Sequence, residues 1–476
     1  MKRTALIGLA ASFAVAPFCH ATWSIVIVDT RTGEIAIGSA TCLTSFDLLA
    51  ITPVVRVGVG GAVVQAAGDF PGVRRPIIRR EFLNDSTAKE ILDVMSRISG
   101  HEDRQFGIVD ARGGAVSFTG SRNGAHASGR TGRDGSLVWA VQGNVITGRP
   151  VIREMHREIL KGDGDLAERL MLAMEAAYRM GGDGRCSCSD NDPDGCGAPP
   201  PEFKKTADIG YMLVARLGDV DSDLCDRNGC ARGDYFMTFN VAFQQNDSPD
   251  PVLQLRAMYD DWRGELLAQP DGIQSQTRID PRDDAYVLHI ALRNWQGVPI
   301  DSGVESVVVE HAPDSAGASE IGPVVALGGG EYEVLLTPNE RAGIDRFIVT
   351  VDAGARPVTL SPYPVLKDSC GVLADATRAK LNDNGKLKIA AHLSDASGAP
   401  VPDHEVIIKI PRFNADPVEV SFGPSDEFGR VRGKFSRGTG DYLGSVQAVF
   451  PPDPGGQCLD PDLPGQRLRS RRVRID

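Results

Sequence analysis

The sequence predicts an α+β chain, in which a domain of sheets covered by helices precedes two all-β sandwiches. Two observations carry this. From 22 to 262, strand-like runs and helix-period stretches follow one another in the order strands, helix, strands, paired helices, strands. From Asp283 onward the long helical patterns vanish, and short alternating strands punctuated by Gly, Pro, Asp and Asn replace them. Residues 1–21 stand outside both patterns. Lys2 and Arg3, the apolar run from Ala5 to Phe18 and the small Ala21 read as a secretory signal cut after Ala21.

The first domain is expected over 22–262. Trp23 to Val28 and Glu34 to Ala40 form a hairpin about the turn 29–33. Val54 to Ala67 is a third strand region that Gly60-Gly61 interrupts, which suggests a bend or a fourth strand. Thr87 and Glu90 make a capping box for a helix whose apolar face is Ile91, Leu92, Met95 and Ile98. A second hairpin joins Phe106–Asp110 to Ala115–Thr119. Leu137 to Val141 is a strand running into Gln142-Gly143-Asn144. Helices follow over Pro150–Leu160 and Asp165–Met180, then strands over Ile209–Ala215 and Tyr235–Val241. A cysteine-rich acidic insert spans 183–234. The sandwiches are expected over 282–366 and 371–476, with Pro362 to Pro364 as their linker and the basic end, Arg467 to Arg474, as a final edge strand.

The chain of 476 residues is 42% hydrophobic, so it can bury a sizeable core, and its formal charge of −12 argues against nucleic acid as a general partner. No stretch approaches the roughly 20 apolar residues of a membrane span. Export to the periplasm or beyond the cell is therefore expected. Cutting after Ala21 leaves eight of the nine cysteines, an even number that fits disulfides. Cys186, Cys188, Cys196, Cys225, Cys230, Cys370 and Cys458 are the candidates; their spacing matches no standard zinc pattern. His101, His126 and His156 show no ligand spacing either. Neither metal nor cofactor is expected, and homo-oligomerisation is left open.

The same cut makes Thr22 the first residue, carrying a hydroxyl and an α-amine together. The amine titrates near pH ~8 and can take the hydroxyl's proton, as in N-terminal-threonine nucleophiles. The sequence around it resembles the bacterial DUF1028 family, a family of unknown function with an Ntn-hydrolase-like fold. The resemblance rests on Thr22-Trp23-Ser24-Ile25-Val26, Thr32 to Ile37, Gly60 to Ala66, Arg104 to Asp110, Ala140 to Gly148, Gly181-Gly182-Asp183 and Ser248 to Arg256. It implies a four-layer αββα domain, an Ntn-type amide hydrolase, and a small amide or peptide as substrate. Turns such as Gln296 to Ile300 and Ser397 to Pro402 resemble those of bacterial immunoglobulin-like modules.

The resemblance makes Asn144 an oxyanion donor. Arg56 stands on the third strand region, where many Ntn hydrolases carry a lysine, and Ser39 stands where related subunits carry an aspartate. These two complete the catalytic candidates. Gln65 and Gln142, polar residues in apolar strands, and Gly143 are the substrate-binding candidates. The competing expectation is a non-catalytic binding or adhesion protein built on the same scaffold.

Overall fold

In a computed structural model the chain divides into two compact units, Met1–Glu265 and Leu266–Asp476. The structure describes 22–367 apart from 125, 284, 314, 340–343 and 355, and beyond 367 a set of strands from 373 to 475 with the loop 423–429. The predicted signal segment, Cys370 and Cys458 lie outside the described residues.

Among the described residues, ten strands and seven α-helices build the first unit. They are β1 Thr22–Asp29, β2 Ile35–Thr41, α1 Leu48–Ile51, β3 Pro53–Arg56, β4 Gly60–Ala66, α2 Arg74–Leu83, α3 Ala88–Met95, β5 Arg104–Asp110, β6 Ala115–Thr119, β7 Ser128–Asp134, β8 Leu137–Asn144, α4 Arg149–Lys161, α5 Leu166–Arg179, α6 Gly184–Ser187, β9 Ile209–Ala215, β10 Met237–Val241 and α7 Pro251–Glu265. Six strands make an antiparallel sheet in the order β10-β9-β2-β1-β8-β7, and four make a second in the order β3-β4-β5-β6.

The strand β1 shows why the sequence reads as a continuous apolar run. It is buried on both faces, so neither face needs polar residues. Trp23, Ile25 and Ile27 pack with Met155, Leu170 and Leu255 of α4, α5 and α7. Val26 and Val28 point the other way, onto Val55, Val63 and Val109 of the second sheet. The far face of that sheet is covered by Ile78 and Phe82 of α2 and Ile91 and Met95 of α3. The expected capping box of Thr87 and Glu90 is present at the start of α3.

The interrupted run 54–67 contains the fourth strand its glycines suggested, as a hairpin of β3 and β4 turned at 57–59, and two further elements depart from the expectations. Helix α2 was not foreseen, because Pro76 and four arginines hide its pattern. Pro76 falls in the first turn, where its missing N–H costs no helical bond. Strand β7 was also missed, since all seven of its residues are Ser, Gly, Arg, Thr or Asp.

The second unit opens with β11 Gln276–Arg282, six residues before the expected boundary, followed by β12 Ala285–Ala291, β13 Ser306–His311, β14 Ser319–Gly328, β15 Glu331–Pro338, β16 Ile344–Asp352, β17 Val358–Thr359 and β18 Val365–Lys367. The sheets β11-β12-β15-β14 and β13-β16-β17 share one core, in which Leu288, Ile290, Val334 and Leu336 meet Phe347, Val349 and Val351. Strand β18 pairs with Ile344–Arg346 across the expected linker, so the chain is still part of this sandwich after Pro364. The basic end does form strands, at Arg467–Arg469 and Arg474–Ile475. No helix among the described residues is long and apolar enough to cross a membrane.

Candidate active site

Thr22 is the first residue of β1, and the register sets it directly opposite Asn144, the last residue of β8. Its backbone nitrogen donates to Asn144 Oδ1 at 3.2 Å, and its carbonyl accepts from Gln65 Nε2 at 2.8 Å. Strand alternation turns the Thr22 side chain, like that of Ser24, toward the second sheet. Thr22 is 3% exposed.

Behind it lies a buried polar network that bridges the two sheets. Ser24 Oγ donates to Gln65 Oε1 and accepts from Gln142 Nε2. Gln65 Nε2 also donates to Gln105 Oε1 at 2.7 Å. Gln105 Nε2 in turn reaches Thr119 Oγ1 at 3.0 Å and the Gly143 carbonyl at 2.9 Å. Buried amides need such partners, and a network of them fixes the register of the strands that carry it. Gly107 makes room for it, because a Cβ there would lie 2.2 Å from Gln142 Oε1.

Both side chains that hold Thr22 are followed by a residue in the left-handed region. Val145, after Asn144, has φ 52°, and Ala66, after Gln65, has φ 73°. For a β-branched valine this is a rare conformation. Each such residue costs about 1–3 kcal/mol and persists only where its surroundings impose it, most often at functional sites.

Thr22 lines a shallow recess that opens to solvent, together with Leu43, Phe46, Leu48, Ile51, Thr52, Gln65, Ala66, Gly68 and Phe70. The wall at 66–75 is pinned from below. Asp69 accepts the backbone N–H groups of Val73, Arg74 and Arg75 and pairs with the fully buried Arg75 guanidinium at 3.4 Å. Arg75 also donates to the Ala50 carbonyl of α1 and to the Asp226 carbonyl. Burial lowers its pKa, against the opposing pull of Asp69.

A second loop closes on the same strand end. Asp183 is fully buried; its Oδ2 accepts the Cys42 N–H at 2.7 Å and Arg185 Nη2 at 2.8 Å. Arg185 Nη2 reaches Thr41 Oγ1 at 3.5 Å, at the last residue of β2 beside β1. A Cys42–Cys186 disulfide fastens this loop, and the bridge between Asp183 and Ile146 ties it to the β8 exit, where Thr147 N–H donates to the Gly182 carbonyl and Gly184 N–H to the Val145 carbonyl. Asp183 and Arg185 escaped the sequence reading as site residues. The signal was present in Gly181-Gly182-Asp183, a stretch with matching residues and no assigned role.

The sequence candidates fall into three groups. Asn144 and Gln65 touch Thr22, and Gln142 supports them through Ser24. Ser39 is on the same sheet face, but its Oγ donates to the Trp23 carbonyl at 2.8 Å and not to the Thr22 nitrogen. Gly143 faces the helices, where a Cβ would meet Ile146, Trp23 and Ile152. Arg56 is not brought to the site. It ends β3 opposite Gly60 and pairs with Asp221. Thr52, four residues and roughly 13 Å back along the strand, lines the recess in its stead.

The disulfides are Cys42–Cys186, Cys188–Cys196 and Cys225–Cys230, so Cys42 joins the candidates. Cys42, Cys186 and Asp208 converge as a metal site would, but the disulfide consumes both sulfurs. His126 pairs with Asp194 at 3.2 Å, and His156 Nδ1 accepts from Trp139 Nε1 at 3.0 Å.

The segment that carries this geometry matches a known family model. Residues 22–190 match DUF1028, a family of unknown function. A crystal structure of a DUF1028 protein from Silicibacter pomeroyi is similar at 19% identity, covering 51% of this chain and 88% of that one with a TM-score of 0.35. The Escherichia coli adhesin FdeC aligns at 9% identity over 94% of this chain and 96% of its own, with a TM-score of 0.18. The Yersinia pseudotuberculosis adhesin InvE aligns at 16% over 42% and 59%, with a TM-score of 0.16. No curated protein matches the chain.

Proposed function

We propose that this protein is an exported Ntn-type hydrolase that cleaves an amide bond with Thr22 as nucleophile. Signal removal after Ala21 would turn the Thr22 nitrogen from a peptide amide into an α-amine. The observation that carries the reading is the position of that nitrogen, 3.2 Å from Asn144 Oδ1 in a residue that lines a solvent-open recess. The helix–sheet–sheet–helix packing around it supports an αββα domain of the Ntn kind. The disulfides among the described residues suit an oxidising compartment.

The chemistry follows from the groups present. The Thr22 hydroxyl attacks the amide carbonyl carbon and its proton passes to the α-amine. The C–N bond breaks as that proton reaches the leaving nitrogen. Water then attacks the ester by the same route in reverse. Asn144 holds the amine through Oδ1, and its Nδ2 is the side-chain N–H group we assign to the developing oxyanion.

Intact-mass and N-terminal analysis of the exported protein is expected to give a chain that starts at Thr22 with an unblocked amine. A β-lactone electrophile should then acylate that residue once, and Thr22→Ala should remove the label without altering the circular dichroism. A mature chain that starts elsewhere would remove the proposed base and end the reading.

A further inference from the structure

We infer that the group on the carbonyl side of the substrate is apolar and uncharged, and that it seats against the paired Phe46 and Phe70 rings. This rests on the hydrolase reading above and goes further, to the substrate class. The recess beside Thr22 is walled by Leu43, Phe46, Leu48, Ile51 and Phe70, and no charged side chain is among its lining residues. Its two polar side chains besides Thr22 are already engaged. Thr52 Oγ1 donates to the Leu48 carbonyl at 3.0 Å, and the Gln65 amide is held by Thr22, Ser24 and Gln105. A charged substituent placed there would lose its water and gain no partner.

The rim repeats the same chemistry. The Phe46 and Phe70 rings lie 6.0 Å apart at 59°, and Phe70 is 43% exposed. Gly68, with φ 65°, lets the Phe70 ring fold back over the chain, since a Cβ there would sit 2.9 Å from it. Phe243 donates its N–H to the Phe46 carbonyl at 3.0 Å, adopts φ 56° and is 64% exposed. A strained backbone that holds an aromatic ring in water calls for an apolar guest. The acyl group is the part that must stay beside Thr22, because it remains bonded to Oγ after the C–N bond breaks. The amine takes the proton and leaves, and water must enter behind it, so the amine belongs on the open side.

The test uses the exported full-length protein and two β-lactones of equal length, one with an alkyl or phenyl substituent and one with a carboxylate. Ring opening bonds the carbonyl carbon to Thr22 Oγ, and the released alkoxide takes the hydroxyl proton, so intact mass counts the adducts. The apolar probe is expected to react on the order of 10²-fold faster. Phe70→Ala, at a half-exposed position, should slow that probe about tenfold, and Phe70→Arg should narrow the gap between the two. Equal rates, a preference for the carboxylate, or an unchanged Phe70→Ala rate would overturn the inference while Thr22 labelling still upheld the hydrolase. No adduct from either probe on a chain that starts at Thr22 would overturn both.

Discussion

At the scale of single residues, the proposed reaction asks two jobs of one side chain. Asn144 Oδ1 receives the Thr22 nitrogen, and in the proposed reaction the Nδ2 end would donate toward the developing oxyanion. Two substitutions separate these. Asn144→Asp keeps an acceptor for the amine and loses both donors, so kcat for an amide should fall about 10²–10³-fold with little change in KM. Asn144→Ala loses both jobs and should also disturb the amine's titration, visible as a changed pH profile of Thr22 acylation. Equal activity in Asn144→Asp and the parent would show that the oxyanion is bound elsewhere. Asn144 was legible in the sequence because it follows an apolar strand and a glycine, and Gln65 because it interrupts an apolar run. Arg56 was misplaced for a physical reason. The Gly58 turn breaks the run 54–67 into a hairpin, which carries its arginine to the end remote from Gln65. Sequence position along a strand locates a residue only once the strand's ends are known.

At the scale of elements, the site is assembled by two fasteners that no local pattern announces. One is the Asp69–Arg75 pair under the recess wall. The other is the Cys42–Cys186 disulfide, which joins residues 144 apart and holds the Asp183–Arg185 loop against the end of β2. Hairpins, the capping box of α3 and the paired helices α4 and α5 are short-range features, and periodicity revealed them. A pairing across 144 residues leaves no periodic trace, and eight cysteines allow 105 pairings. The disulfide's contribution follows from the loop it closes. The chain-entropy model gives about 5 kcal/mol for a loop this long, and removal of a native disulfide typically costs about 2–5 kcal/mol. The Cys42→Ser, Cys186→Ser double variant should therefore lose about that much stability in denaturant titration and label at Thr22 more slowly than the parent. The eight-residue Cys188–Cys196 bridge closes a far shorter loop, and its removal should cost less. If the two variants were equally stable, the long-range bridge would not be what holds this loop.

At the scale of the whole molecule, two units with separate cores predict two thermal transitions in calorimetry of the full chain. The three described disulfides all lie in the first unit, so the transition lowered by Cys42→Ser, Cys186→Ser identifies it. That unit also holds two histidines that the fold resists protonating. Burial lowers the pKa of His156, with Arg130 adding to it, while its Nδ1 accepts the Trp139 indole N–H. Burial likewise lowers His101, which stacks on Phe118 with ring centroids 4.0 Å apart. The sign follows from which state binds more protons. Above the ordinary histidine pKa of 6.5 both states are neutral and the full stability is present. Below it the unfolded chain gains protons that the folded chain refuses until its own lower pKa is reached, so stability falls with pH. The first unit's midpoint should therefore drop as pH is lowered from about 7.5 to about 5.5, a window above the ordinary carboxylate range. His156→Gln, which keeps an acceptor for Trp139 and cannot be protonated, should flatten that slope. An unchanged slope in the variant would assign the pH dependence to other groups.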